Sequence, residues 1–197
     1  MIYIDIETLD LFSDPHIKRL PRNAQIAAMR FGLAVTYDSA NDQWREWVSD
    51  DITALYTMLI EAAQPVAGWN IDNFDLPVIV ANARRAGIKP KKRDIDAIET
   101  LDIFARIRDE TGRWYKLDVI AEANLDRHKS ADGLLAVEWL RAGDPESVAK
   151  AMAYCKDDVQ IVVDLVAKLA RGEPLRLPPR PERREYNELA WRLLVTS

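Results

Sequence analysis

Met1-Ile2-Tyr3-Ile4-Asp5-Ile6-Glu7-Thr8 opens the chain as an apolar, β-branched run with two carboxylates near its end. This composition predicts a buried β-strand. Because residues two apart on a strand project from one face, Asp5 and Glu7 should stand side by side, with Ile4 and Ile6 on the opposite face. Neighbouring carboxylates repel each other, and a divalent cation held by oxygen ligands commonly offsets that repulsion. The run is therefore either an ordinary strand end with two solvated acids or one side of a metal site.

Composition indicates one globular domain with a short appendage. The chain has 197 residues, of which 48% are hydrophobic, which is enough to bury a sizeable core. Its one cysteine, Cys155, excludes an internal disulfide and a cysteine-cluster zinc site, and its two histidines argue against a histidine-based metal site. No apolar run approaches the roughly 20 residues of a membrane span, so we expect a cytoplasmic protein with no membrane association.

The charge distribution argues against a protein that coats nucleic acid through bulk electrostatics, because the net charge is -5 at pH 7. Basic residues nevertheless cluster in three segments, residues 18–22, 84–93 and 176–184. Each cluster is either a solvated face or a track for phosphate groups.

The spacing of apolar residues predicts strands first and helices later. A polar, proline-containing stretch from Leu9 to Asn23 is expected to form a loop, and strands are expected over Gln25–Tyr37 and Gln43–Val48, completing an antiparallel meander. A helix from Asp51 to about Ala63 and a strand over Val66–Trp69 should follow, and a strand reached through a helix lies parallel to its partner. This order predicts an α/β, RNase H-like fold: a mixed five-stranded sheet, with an antiparallel meander plus parallel strands, flanked by helices.

A second acidic segment is Gly68-Trp69-Asn70-Ile71-Asp72-Asn73-Phe74-Asp75-Leu76-Pro77. Pro77 suits the first turn of a helix, which places Asp75 at the helix N-terminus. Asp75 is there either as a plain helix cap or as a further ligand.

A third acidic segment lies on a helix predicted over Ala151–Leu169, which contains Tyr154-Cys155-Lys156-Asp157-Asp158. Tyr154 and Asp158 are four residues apart and share a helix face. Asp157 lies near the same face, so spacing alone does not choose between the two acids.

The three acidic segments resemble the three exonuclease motifs of family B DNA polymerases and their free-standing relatives. They also occur in the same order along the chain. The resemblance covers residues 1 to about 170. That family pattern selects Asp158, and the residue five before it is Ala153 rather than histidine, which is typical of the tyrosine type. The chain therefore resembles the DEDD (DnaQ-like) superfamily of 3′-to-5′ exonucleases, tyrosine type.

This resemblance implies a function and a set of catalytic residues. The expected reaction releases nucleoside monophosphates from the 3′ end of single-stranded DNA by hydrolysis with two Mg²⁺ or Mn²⁺ ions. Asp5 would bridge both ions, Glu7 and Asp158 would complete the site that generates hydroxide, and Asp75 would hold the second ion. Tyr154 would hydrogen-bond the attacking water.

Residues beside the acids are candidates for substrate binding: Thr8, Leu9, Asn70 and Phe74. Phe74 either stacks on a base or packs in the core. Three other aromatic residues are expected in the core: Trp114, Tyr115 and Trp139.

Two alternatives to a DNA exonuclease remain open. The same acids would serve hydrolysis of RNA, as in RNase D-like relatives. A protein that keeps the fold without activity would be a nucleic-acid-binding or complex-forming module, although the presence of all four acids and the tyrosine favours an enzyme.

The C-terminal residues have a different composition. We expect residues 1–171 to form the exonuclease domain, and residues 172–197 to form a linker rich in proline and arginine followed by a short helix over Glu182–Val195. This tail either packs on the domain, contacts nucleic acid or binds a partner from a replication, repair or phage assembly.

Overall fold

The computed structural model of the protein describes residues 1–127, 133–179 and 187–189. The strands are β1 (Ile2–Thr8), β2 (Phe31–Asp38), β3 (Gln43–Val48), β4 (Val66–Gly68), β5 (Thr100–Asp102), β6 (Leu175–Leu177) and β7 (Asn187–Leu189). The helices are α1 (Pro15–Lys18), α2 (Arg22–Ala28), α3 (Ile52–Glu61), α4 (Asp75–Arg85), α5 (Lys92–Asp96), α6 (Ile103–Thr111), α7 (Leu117–Leu125), α8 (Gly133–Ala142) and α9 (Pro145–Ala170). A 3₁₀ turn, Ser49–Asp51, precedes α3. Among the described residues, no helix has the length and apolar character needed to cross a membrane.

β1 lies at the centre of a five-stranded sheet with the strand order β3-β2-β1-β4-β5. β1, β2 and β3 pair antiparallel. β4 pairs parallel to β1, and β5 pairs parallel to β4. The predicted α/β architecture, an antiparallel meander plus parallel strands flanked by helices, is confirmed.

The two faces of β1 bury different clusters of side chains. Tyr3 belongs to a cluster with Leu33 of β2 and the apolar residues of α9. Ile4 and Ile6 belong to a second cluster with the apolar residues of α3 and α4. By strand alternation, the odd-numbered residues of β1 therefore face α9. Burial on both faces explains why β1 is an almost continuous apolar run.

The segment after β1 differs from its prediction. The loop expected over Leu9–Asn23 contains α1 and the start of α2. The strand expected over Gln25–Tyr37 is confirmed from Phe31 onward and is wrong before it, where α2 continues to Ala28. A distant side chain fixes the end of α2, since the Arg85 guanidinium of α4 donates to the Met29 carbonyl at 2.5 Å. Local spacing could not show this contact.

The chain after α9 returns to the core. Leu175 and Leu177 of β6 are buried. The Arg176 N–H donates to Asn124 Oδ1 at 2.7 Å, and Asn124 Nδ2 donates to the Arg176 carbonyl at 2.9 Å. The helix predicted over Glu182–Val195 is wrong at β7, because pairing with β6 holds β7 extended. The remainder of that predicted helix lies outside the described residues, and the predicted domain boundary stays a prediction.

Candidate active site

Three carboxylates meet where α9 packs on β1. One carboxylate oxygen each from Asp5, Glu7 and Asp158 lies within 4.8 Å of the other two. Asp5 and Glu7 share one face of β1, and Cys155 holds α9 against that strand, since its Sγ donates to the Asp5 carbonyl at 3.2 Å. Asp158 follows Cys155 by about one helical turn. The structure thus brings together three of the acids that the sequence analysis singled out.

Burial makes the negative charge of this cluster costly. Asp158 is only 5% exposed, and Asp5 Oδ2 and Asp158 Oδ1 are both shielded from solvent. A buried carboxylate costs far more free energy than a solvated one unless an opposite charge compensates it. An all-oxygen donor set suits the hard ions Mg²⁺ and Mn²⁺. These residues therefore fit a divalent metal ion, with Asp5, Glu7 and Asp158 as its ligands.

Asp75 is the first residue of α4 and is 3% exposed. Burial raises the pKa of its carboxyl to about 8, against the lowering effect of hydrogen bonds from the backbone N–H groups of Asp75 and Ile6. The negative charges of Asp102 and Asp158 contribute to this raised pKa. Asp75 lies outside the group of three but lines the same cavity as Asp5 and Asp158. A buried acid that faces other acids is a candidate fourth ligand rather than a solvated helix cap.

The cavity beside the acids has a volume of about 760 Å³. Tyr154, which is 4% exposed, contributes to its lining one helical turn before Asp158. Trp69 and Phe104 add aromatic surface, and Lys116 adds a positive charge. The sequence analysis did not single out Phe104 or Lys116 as site residues, because no spacing relates them to the acids. A cavity with acids, aromatic rings and one lysine can hold a metal-bound nucleotide.

The structure separates the four candidates for substrate binding. Asn70 and Phe74 line the cavity. The buried hydroxyl of Thr8 instead donates to the Asp10 carbonyl at 2.8 Å. Leu9 packs against the core cluster that contains α9.

Asp157 and Asp158, which spacing could not distinguish, lie in different surroundings. Asp158 lines the cavity. Asp157 accepts a hydrogen bond at 2.9 Å from Arg127, which also donates to Asp164 at 3.0 Å. Asp157 therefore belongs to an ion-pair network that ties the end of α7 to α9.

Asp102 fixes the loop that leads into α4. Its carboxylate accepts hydrogen bonds from the backbone N–H groups of Asn70 at 2.9 Å, Asp72 at 3.2 Å and Ala105 at 3.0 Å. Burial raises the pKa of Asp102, and these hydrogen bonds partly offset that effect. The loop requires such an anchor because Asn70 adopts a left-handed conformation with φ of 62°. An acid at the junction of β5 and α6 was the available signal in the sequence, since it is typical of an N-cap.

A second acidic group consists of Asp10, Asp14 and His16. Asp10 accepts hydrogen bonds from Arg30 at 2.7 and 3.0 Å, and Asp14 pairs with Arg141. Arginine already compensates these two carboxylates, so this group ties the segment after β1 to β2 and α8 rather than calling for a metal ion.

A family model for the RNase H superfamily matches residues 2–170, a span that includes the four candidate acids and Tyr154. No curated protein matches the chain.

Proposed function

The chain belongs to the RNase H superfamily, and on that basis we propose that it is a metal-dependent 3′-to-5′ exonuclease of the DEDD superfamily, tyrosine type, acting on single-stranded DNA. Family membership itself indicates nuclease-type hydrolysis of nucleic acid. The observation that carries the finer proposal is the convergence of Asp5, Glu7 and Asp158 within 4.8 Å, next to a cavity that Asp75 and Tyr154 also line. The 3′-to-5′ direction and the preference for DNA rest on the motif resemblance.

The site residues would have different roles in phosphodiester hydrolysis. Asp5, Glu7 and Asp158 would hold one divalent ion, and Asp5 with Asp75 would hold a second. When bound, the two ions supply a hydroxide nucleophile, neutralise the scissile phosphate and stabilise the leaving oxygen. Tyr154 would orient the attacking water through its hydroxyl group.

The remaining cavity residues would position the nucleotide. Lys116 would bring a positive charge toward the substrate phosphate, and the exposed part of Phe74 would contact the terminal base or sugar. Asn70 offers an amide that can both donate and accept hydrogen bonds.

The test is a gel time course on 5′-labelled single-stranded DNA and RNA of one sequence, with Mg²⁺, Mn²⁺ or EDTA. Wild type is compared with Asp5→Asn, which removes a metal ligand. Asp157→Asn is the matched control, because it removes an equal charge that pairs with Arg127 outside the cluster.

We expect a metal-dependent ladder that shortens from the 3′ end, and we expect wild type and Asp157→Asn to produce it while Asp5→Asn does not. Faster degradation of RNA than of DNA would replace the DNA preference with the RNA alternative. Full activity of Asp5→Asn would refute the proposed centre. Binding of single strands with no cleavage under any metal would favour the binding module.

A further inference from the structure

Trp114 is exposed although the sequence analysis expected it in the core. It is 73% exposed, the largest value for any large hydrophobic residue among those described. Tyr115 and Trp139, in contrast, pack against the core as expected. An aromatic ring that stays in water contributes little to the stability of the fold, and this ring is open to a binding partner.

Trp114 stands at the end of a row of aromatic rings. The row begins in the cavity that Asp5, Asp75 and Asp158 line, which we call the metal-site cavity. Trp69 and Phe104 line that cavity, with their ring centroids 5.9 Å apart. Phe104 also meets Trp114 edge-on, at 5.5 Å between centroids and 74° between ring planes. Edge-to-face contacts of this kind are favourable and hold a ring in one orientation. The contact with Phe104 therefore presents Trp114 as a fixed, open surface next to the cavity.

A groove of about 650 Å³ lies between Trp114 and the loop that leads into α4. It adjoins the metal-site cavity, because Asn70 and Phe104 line both. Arg22 and Arg108 line the groove together with Asp72. Arg108 pairs with Asp109 at 2.7 Å, so Arg22 supplies the main positive charge of the groove. Its lining thus combines aromatic surface, amide groups and arginine, which is the combination that binds single-stranded nucleic acid.

We infer that this groove binds a second nucleotide of the substrate strand, next to the nucleotide at the metal ions, with its base stacked on Trp114. The backbone phosphate of that nucleotide lies toward Arg22 and Arg108. Because a base must be unpaired to stack on a side chain, the groove selects single-stranded ends. The inference rests on the proposed exonuclease function, which it extends from the cleaved nucleotide to its neighbour.

The experiment uses two probes of different reach. The p-nitrophenyl ester of thymidine 5′-monophosphate carries no second nucleoside, whereas an oligothymidylate places a second nucleotide in the groove. The variants are Trp114→Ala, which removes the stacking surface, and Trp114→Phe, which retains a ring. Trp44→Ala is the control, since Trp44 stacks on Tyr37 at 4.7 Å and does not line the groove.

For Trp114→Ala we expect a KM for the oligothymidylate that rises about 5- to 100-fold, with Trp114→Phe and Trp44→Ala close to wild type. Hydrolysis of the p-nitrophenyl ester should be the same in all four proteins. An unchanged oligothymidylate KM in Trp114→Ala would overturn the inference while the exonuclease function stands.

Fluorescence anisotropy of a labelled oligothymidylate in EDTA tests the groove without catalysis. We expect weaker binding by Trp114→Ala than by wild type, and weaker binding of a blunt duplex than of the single strand. Equal binding by the two proteins, or no binding by wild type, would overturn the inference. Failure of wild type to hydrolyse either probe, while this binding difference persists, would refute the exonuclease function alone.

Discussion

Replacing Asp102 by alanine should weaken both the fold and the proposed metal centre, because the Asp102 carboxylate holds the loop that leads to Asp75. Asp102 accepts three backbone hydrogen bonds, two of them from Asn70 and Asp72 of that loop. Without them, the left-handed conformation of Asn70 has lost its anchor. Asp75 should then occupy its position near the other acids less often.

The size of the effect follows from these contacts. A hydrogen bond to a charged group contributes about 1.5–3 kcal/mol, so three could contribute on the order of 4–9 kcal/mol. Two corrections reduce this sum. First, water can replace the lost hydrogen bonds to the backbone N–H groups of a partly exposed loop. Second, burying the Asp102 carboxylate costs desolvation free energy, as its raised pKa shows, and the substitution removes that cost. We expect Asp102→Ala to lower the free energy of unfolding by about 2–4 kcal/mol.

Urea denaturation followed by circular dichroism, without metal, measures the stability change. The functional readout is the Mg²⁺ concentration for half-maximal nuclease activity, which should rise about 10-fold, as for outer residues that orient metal ligands. Asp144→Ala is the matched control: Asp144 also accepts backbone hydrogen bonds at a helix N-terminus, from Glu146 and Ser147, but it caps the far end of α9. Asp144→Ala should lower the free energy of unfolding by about 1 kcal/mol and leave the Mg²⁺ concentration for half-maximal activity unchanged. An unchanged Mg²⁺ requirement in Asp102→Ala would refute the positioning role, whatever the stability change.

Three further predictions concern metal, pH and thiol chemistry. Mg²⁺ at about 100 times its dissociation constant should stabilise the wild-type fold by about 2.7 kcal/mol in thermal unfolding, and Asp158→Asn should abolish this gain; an equal gain in the variant would contradict the assigned ligand. Burial raises the pKa of Asp10, but hydrogen bonds from Arg30 and its charge outweigh burial and hold that pKa below its ordinary value. The contribution of this ion pair is therefore present near neutral pH and is lost as the pH falls through the lowered pKa, so Arg30→Ala should cost about 1–3 kcal/mol near pH 7 and progressively less below about pH 4 in urea titrations. Cys155 is fully buried, and burial raises its pKa well above the usual range, so a disulfide reagent should label the native protein very slowly and the unfolded protein at once; rapid labelling of the native protein would contradict the packing of α9 on β1.

The fold was predictable wherever local pattern alone determines structure. Local sequence pattern predicted three elements directly: β1 from its β-branched run, β3 from its strand composition, and α9 from its helical spacing. The end of α2 did not, because its Met29 carbonyl is satisfied by Arg85 from α4. The exposure of Trp114 was also missed, since residue type favours burial and only the edge contact with Phe104 shows where the ring lies.

The convergence of three candidate acids was predictable for similar reasons. The carboxylates of Asp5 and Glu7 follow from strand alternation, and helical spacing with the family pattern gave Asp158. The charge pairing of Asp157 with Arg127 depends on tertiary structure, so spacing could not exclude Asp157. The role of Asp102 as an anchor likewise becomes visible only when β5 is placed beside the loop into α4.

The contact between Cys155 and the Asp5 carbonyl joins residues separated by 150 positions in the chain. The proposed metal centre therefore depends on a contact between residues far apart in the chain, and such contacts form slowly because a long loop must close first. During synthesis Asp5 and Glu7 are made well before Asp158, so the group of three acids cannot assemble until α9 has been made. Metal binding would thus report the completed fold, and an unfinished chain would present no assembled nuclease centre to the nucleic acids around it.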